Sequence, residues 1–67
     1  MNPMNTAPKD GTFIRIYYRI EGGTIMDGVY HWHIDQWESD GGDFVLADGD
    51  PNVLGWLPLD AETGNTD

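Results

Sequence analysis

Residues 12–20 alternate strictly: Ile14, Ile16, Tyr18 and Ile20 share one parity, and Phe13, Arg15, Tyr17 and Arg19 the other. A period of two is the signature of a half-buried strand, and the β-branched and aromatic content agrees with it. Glu21-Gly22-Gly23 follows at once. Glycines tolerate positive φ, so the segment predicts a tight hairpin. The return strand is predicted over residues 24–34, with Tyr30, Trp32 and Ile34 on one face and Val29, His31 and His33 on the other. Gly28 interrupts it and marks a bulge or a close backbone approach.

Two further turn signals divide the rest. Residues 38–43, Glu-Ser-Asp-Gly-Gly-Asp, precede a short strand over 44–47. Residues 48–52, Asp-Gly-Asp-Pro-Asn, precede a last strand over 53–57 that Pro58 ends or confines to an edge. No segment carries sustained helical periodicity. The expected fold is all-β: a small four-stranded antiparallel meander with the N-terminal segment packed across it. Residues 6–11 and 57–59 serve as lids, and the pairing of residues 35–47 is left open.

At 67 residues the chain holds one domain and one modest core. The expected ordered core is about 6–59, with residues 60–67 an acidic, frayed tail. Without cysteine there is no disulfide and no thiolate zinc site. Stability must come from Trp32, Trp37, Trp56, Tyr18, Tyr30, Phe13, Phe44 and the isoleucines, so a monomer or a small homo-oligomer is expected. No apolar run is long enough to span a bilayer, and residues 1–11 lack the regions of a signal peptide. A cytoplasmic location is therefore expected.

Charge narrows the function classes. Twelve acids against Lys9, Arg15 and Arg19 give a net charge of −9. That balance argues against direct binding to nucleic acid or to an anionic membrane, since both need cationic surface. Asp35, Glu38, Asp40, Asp43, Asp48 and Asp50 fall within sixteen residues that contain no Lys or Arg. Carboxylates two residues apart on a strand stand about 6–7 Å apart, and each strand of duplex DNA advances about 3.4 Å per phosphate. Such a cluster approaches the charge density of a nucleic-acid backbone and suits grooves lined with Lys and Arg. Exposed Tyr17, His33 or Trp37 would then serve as apolar anchors. The plainer alternative is a set of Asp-Gly turns using Asp for local hydrogen bonds, which accounts for Asp10, Asp40 and Asp48.

Catalytic patterns are weak. His31 and His33 share a strand face about 6–7 Å apart, with Asp27 or Asp35 as the nearest third ligands. Two exposed histidines explain the pair better, so no metal and no cofactor are expected. Asp48-Gly49-Asp50 starts like a calcium loop, but Pro51-Asn52-Val53 breaks the pattern. Ser39 is the only serine and sits in a Gly/Asp turn without a nucleophile-elbow context. The chain is not expected to be an enzyme.

Thr6-Ala7-Pro8-Lys9-Asp10-Gly11-Thr12 before an Ile-rich strand, central Trp32 and Trp37, and Gly55-Trp56-Leu57-Pro58-Leu59 near the end form an ordered set. Together they resemble small phage- and prophage-associated proteins of unknown function, over residues 6–59. The chain departs from that pattern in lacking an upstream Trp and in carrying Asp60-Ala61-Glu62 in place of a Pro-rich tail. The resemblance supplies no catalytic residues. It implies an origin on mobile genetic elements, and small acidic phage proteins of this kind look like inhibitors of host defence. The expectation is an anti-CRISPR-like inhibitor in the host cytoplasm. Asp35, Glu38, Asp40, Asp43, Asp48 and Asp50 would face the basic nucleic-acid-binding groove of a CRISPR-Cas effector and keep target DNA out. The alternative is a structural or accessory phage domain that mediates protein assembly.

Overall fold

The computed structural model describes residues 1–59, so the expected frayed tail at 60–67 lies outside the described residues. A short 3-10 turn at Met4–Thr6 precedes five strands: β1 (Ile14–Arg19), β2 (Ile25–His33), β3 (Gln36–Ser39), β4 (Val45–Ala47) and β5 (Val53–Pro58). They form one antiparallel sheet in the order β4-β3-β2-β1-β5. The all-β class is as expected, but the four-stranded meander is not. Residues 36–39 form a strand of their own, because Trp37 pairs with both Trp32 and Leu46 and buries its ring there. The last strand then returns to β1 instead of pairing with its predecessor.

That order forces the sheet to curl. In a flat sheet β4 and β5 would stand about 19 Å apart, at roughly 4.8 Å per strand. The connection between them carries two turn bonds, Asp50 N–H to Ala47 O (3.2 Å) and Val53 N–H to Asp50 O (3.0 Å). Each turn of that type holds its ends within about 7 Å, so Ala47 and Val53 lie within about 14 Å. The register is staggered to match: residues 25–30 of β2 pair with β1, and residues 30–33 with β3. Stagger of this kind lets a sheet bend toward a barrel.

The concave face holds the core. Ile14, Ile16, Tyr30 and Trp37 are fully enclosed, with Ala7 beside them and Met4, Tyr18, Trp32, Leu46, Val53 and Trp56 packed around. Each such large side chain contributes about 1.5–3 kcal/mol when removed from water. Trp32 and Trp37 meet edge to face at 5.0 Å and 70°. Lys9 lies 4.4 Å over the Trp32 ring and reaches Asp48 at 3.1 Å, tying the N-terminal segment to the β4–β5 turn.

Several side chains expected in the core are elsewhere. Ile34 is 81% exposed because it forms the two-residue β2–β3 turn with Asp35. Phe44 is 67% exposed, and Phe13 and Ile20 are also outward. Trp37, considered above as an exposed anchor, is instead buried. Gly28 produces no bulge in the β1–β2 register; the irregularity lies in β1–β5, between Tyr17 and Tyr18. Gly28 is a close approach: a Cβ there would stand 3.0 Å from Tyr30 Cε1.

The N-terminal segment runs along the outer edge of β5. Asn2 exchanges two backbone bonds with Trp56, at 2.9 and 3.0 Å. The Trp56 indole N–H points at Pro3 O and Thr6 Oγ1, both at 3.2 Å. Gly55 is glycine for room, since a Cβ there would collide with Met1 and stand 2.6 Å from Asn2 O. Asp10 accepts the Thr12 N–H at 3.0 Å, forming the turn into β1 that the sequence suggests, with Gly11 at φ 93°. Hydrogen bonding from the Thr12 side chain, and then from its N–H, holds the Asp10 carboxyl below its ordinary range.

Candidate binding groove

The six carboxylates singled out in the sequence do not share one surface. Asp35 lies beside Gln36, whose rung partner Ala47 leads into Asp48 and Asp50, so these three gather at one end of β3–β4. Asp40 and Asp43 sit in the β3–β4 turn at the other end, about 10 Å along the strand. Glu38 stands between them on the convex face, opposite His31, with 3.6 Å from its Oε1 to His31 Nε2. Their neighbours differ as well. Asp48 is paired with Lys9, and Asp50 Oδ1 accepts the Asn52 N–H at 2.9 Å. Asp35, Asp40 and Asp43 are exposed and have no ion-pair partner among the described residues.

Asp40 and Asp43 meet a feature the sequence did not disclose. β2 outruns β3, so residues 25–29 have β1 on one side and no strand on the other. The step leaves a groove of about 670 Å³ lined by Tyr18, Ile20, Met26, Tyr30 and Phe44, with Asp27, Asp40 and Asp43 also among its lining residues. The Tyr18 and Tyr30 rings meet at 6.1 Å and 90°. Burial, and then a hydrogen bond with Tyr18, raises the Tyr30 phenol well above its usual value. A second groove of about 270 Å³ shares Tyr18, Ile20, Tyr30 and Phe44 and continues toward Arg19, Asp50 and Asn52, along the open side between β4 and β1.

The loop bearing Asp40 and Asp43 is held at both ends. Asp40 N–H donates to Val29 O at 2.9 Å, Gly42 N–H to Ser39 O at 2.8 Å, and Phe44 N–H to Ser39 Oγ at 2.9 Å. The lone serine thus closes a loop. Gly41 and Gly42 take φ of 100° and 79°, which explains the Gly-Gly pair. Asp27, weighed above only as a metal ligand, receives Arg15 Nη1 at 2.6 Å. His31 and His33 have ring centroids 6.0 Å apart, and His31 also stacks on Phe13 at 4.6 Å. Among the described residues no three of His, Cys, Asp or Glu are placed to share a metal ion. No helix among them is long and apolar enough to cross a membrane.

The alternation in β1 and β2 places Tyr18 and Tyr30 on the concave face, but only the strand register shows that they end beside an uncovered step. No family model matches the chain, and no curated protein or solved structure is significantly similar to it.

Proposed function

We propose that this chain is a non-catalytic binding protein that docks through its carboxylates onto a basic, nucleic-acid-binding surface of a bacterial host complex. The observation that carries this reading is uncompensated charge. Of three cations, Lys9 and Arg15 are engaged with Asp48 and Asp27, while Asp35, Asp40 and Asp43 face solvent without a counter-charge among the described residues. Clustered like charges cost stability in the free chain, and a Lys/Arg-lined surface relieves that cost on binding. The resemblance to prophage-associated proteins directs the choice of partner toward a CRISPR-Cas effector, with exclusion of target DNA as the effect. Two separated carboxylate groups suit a partner with two basic patches better than one with a single continuous basic track.

The test is a titration of a purified DNA-binding CRISPR effector with the chain, with and without duplex DNA. Competition with DNA and a steep loss of affinity between 50 and 200 mM salt are expected. The pair Asp43→Lys and Asp48→Lys should weaken binding at least about tenfold, since a reversed charge meets like charge across the interface. Affinity indifferent to both salt and these substitutions would sink the proposal.

A second reading, an assembly domain of a phage particle, is favoured by exposed Ile20, Ile25, Met26, Phe44 and Val45 and by the outer edge of β4, which has no strand beside it among the described residues. Binding to virion proteins that survives high salt would select it.

A further inference from the structure

We infer that the groove beside residues 26–30 of β2 is a pocket for an arginine side chain of the partner; this deepens the basic-partner reading and rests on it. The walls are aromatic and thioether: Tyr18, Tyr30, Phe44 and Met26. The carboxylates at its edge are Asp40 and Asp43; Asp27 also lines it, with its own carboxylate turned to Arg15 on the convex face. At about 670 Å³ the groove falls within the range of ligand clefts, about 300–1,000 Å³.

Ring faces are negative and attract cations. An apolar occupant would strip water from the two edge carboxylates and give nothing back, and an anion would be repelled. A cation satisfies both walls and rim. Guanidinium suits the site better than ammonium: it is planar, weakly hydrated, stacks on rings and bridges two carboxylates with its fork of donors. Asp27 is already engaged on the convex face by Arg15 Nη1 at 2.6 Å. Asp40 and Asp43 remain for an incoming group. Neither Lys9, Arg15 nor Arg19 lines this groove; Arg19 lines its smaller continuation.

The pocket is built before the ligand arrives. Asp40 N–H is fixed to Val29 O, and Phe44 N–H to Ser39 Oγ. The Tyr30 ring lies over Gly28, whose missing side chain is what lets it settle there. Ordering costs on binding fall accordingly. Phe44 is 67% exposed in the free chain, an aromatic ring without an internal reason to face water.

The experiment titrates the full chain, with ¹³C-labelled Met methyl and aromatic groups, at low salt with three peptides. These are acetyl-(Gly-Arg)4-amide, the lysine version, and the version with citrulline, a neutral isostere of arginine. Expected are saturable shifts at the Met26 methyl and the Phe44 and Tyr18 rings, lysine binding at least threefold weaker, and no response to citrulline. Asp40→Asn with Asp43→Asn should raise Kd at least tenfold and Phe44→Ala at least threefold. Both rim substitutions and Phe44 are on the surface, so a retained NMR spectrum verifies the fold. Shifts centred on Asp35, Asp48 and Asp50 with a silent groove would overturn the pocket and leave the basic-partner reading standing. Equal binding of lysine and arginine would overturn the arginine assignment. No response to either basic peptide would overturn both.

Discussion

Ile34 offers the sharpest test of the backbone reasoning. It takes φ 61° at the tip of the β2–β3 hairpin, where Asp35 N–H reaches back to His33 O at 2.7 Å. For an L-residue the left-handed region costs about 1–2 kcal/mol, and a β-branched side chain is among the worst suited. Burial does not offset this, because Ile34 is 81% exposed. If full burial of isoleucine is worth about 1.5–3 kcal/mol, the fifth that is covered returns about 0.5 kcal/mol. Asp35 keeps a negative φ and its N–H closes an i to i+2 bond around Ile34, a γ-type turn that the asparagine preference for the left-handed helical well does not serve. Glycine takes it without strain. Ile34→Gly relieves about 1–2 kcal/mol, gives up the residual burial and adds about 0.5–1 kcal/mol of unfolded-state entropy, so it should stay within about 0.5 kcal/mol of the parent, about 2–4 °C in Tm. Without strain the same substitution should cost about 1 kcal/mol or more. Calorimetry and urea unfolding followed by tryptophan fluorescence distinguish the two outcomes, and a glycine variant destabilised by about 1 kcal/mol or more would refute the strain argument.

Two other sites give directional tests. Gly55→Ala drives a methyl into Met1 and Asn2 O. Loss of the two Asn2–Trp56 backbone bonds and the two Trp56 indole contacts should cost about 2–6 kcal/mol, at about 0.5–1.5 kcal/mol per bond. Fast amide exchange at Asn2 should accompany it; a parent-like exchange rate would show that the segment is not pinned there. In the folded chain burial first, and then the Tyr18 hydrogen bond, raise the Tyr30 phenol above the ordinary value of 10.0. A raised pKa contributes stability that is complete below the unfolded value and is lost as pH rises above it. Stability should therefore decline from about pH 10 upward, and Tyr30→Phe should flatten that decline, read by urea midpoints between pH 8 and 11.5. An unchanged slope would refute the assignment.

The parts of this fold that were readable from sequence are those governed by local periodicity. Ile14 and Ile16, and the parity of Tyr30 and Trp32, follow from alternation alone, and the Gly-Gly turns follow from positive φ. Ile34 keeps the same parity yet lies outside, because a hairpin turn claims it before the period can continue. β3 escaped notice because Gln36-Trp37-Glu38-Ser39 has a single large apolar residue, and its strand character comes from two cross-strand partners. The return of β5 to β1 is non-local and leaves no mark in residues 53–58. The same holds for the groove. Tyr18, Asp27, Tyr30, Asp40 and Phe44 are scattered through the sequence and converge only because β3 stops short of β2. The acidic run at 35–50 was legible as charge, but its division between two ends depends on strand direction.

Salt connects the charge of the free chain to its binding. Residues 1–59 carry nine acids and three cations; spread over a globule of radius of gyration 11.7 Å, equivalent to a sphere of about 15 Å, that charge of −6 repels itself more than in an unfolded chain of about 23 Å. In water the folded state is disfavoured by about 1.5 kcal/mol at 10 mM salt and about 1 kcal/mol at 150 mM, as the Debye length falls from about 30 to 8 Å. Opposing this, salt weakens the Lys9–Asp48 and Arg15–Asp27 pairs, each worth at most about 1 kcal/mol at such exposure. The free chain should therefore gain up to about 0.5 kcal/mol on going from 10 to 150 mM NaCl, about 2–4 °C in Tm. Its complex with a basic partner should weaken over the same range. Asp40→Asn with Asp43→Asn should reduce both effects together, because the carboxylates that repel one another in the free chain are those that meet the partner's cations. A melting temperature that falls with salt, or a double variant that changes one dependence and not the other, would separate the acidity from the binding.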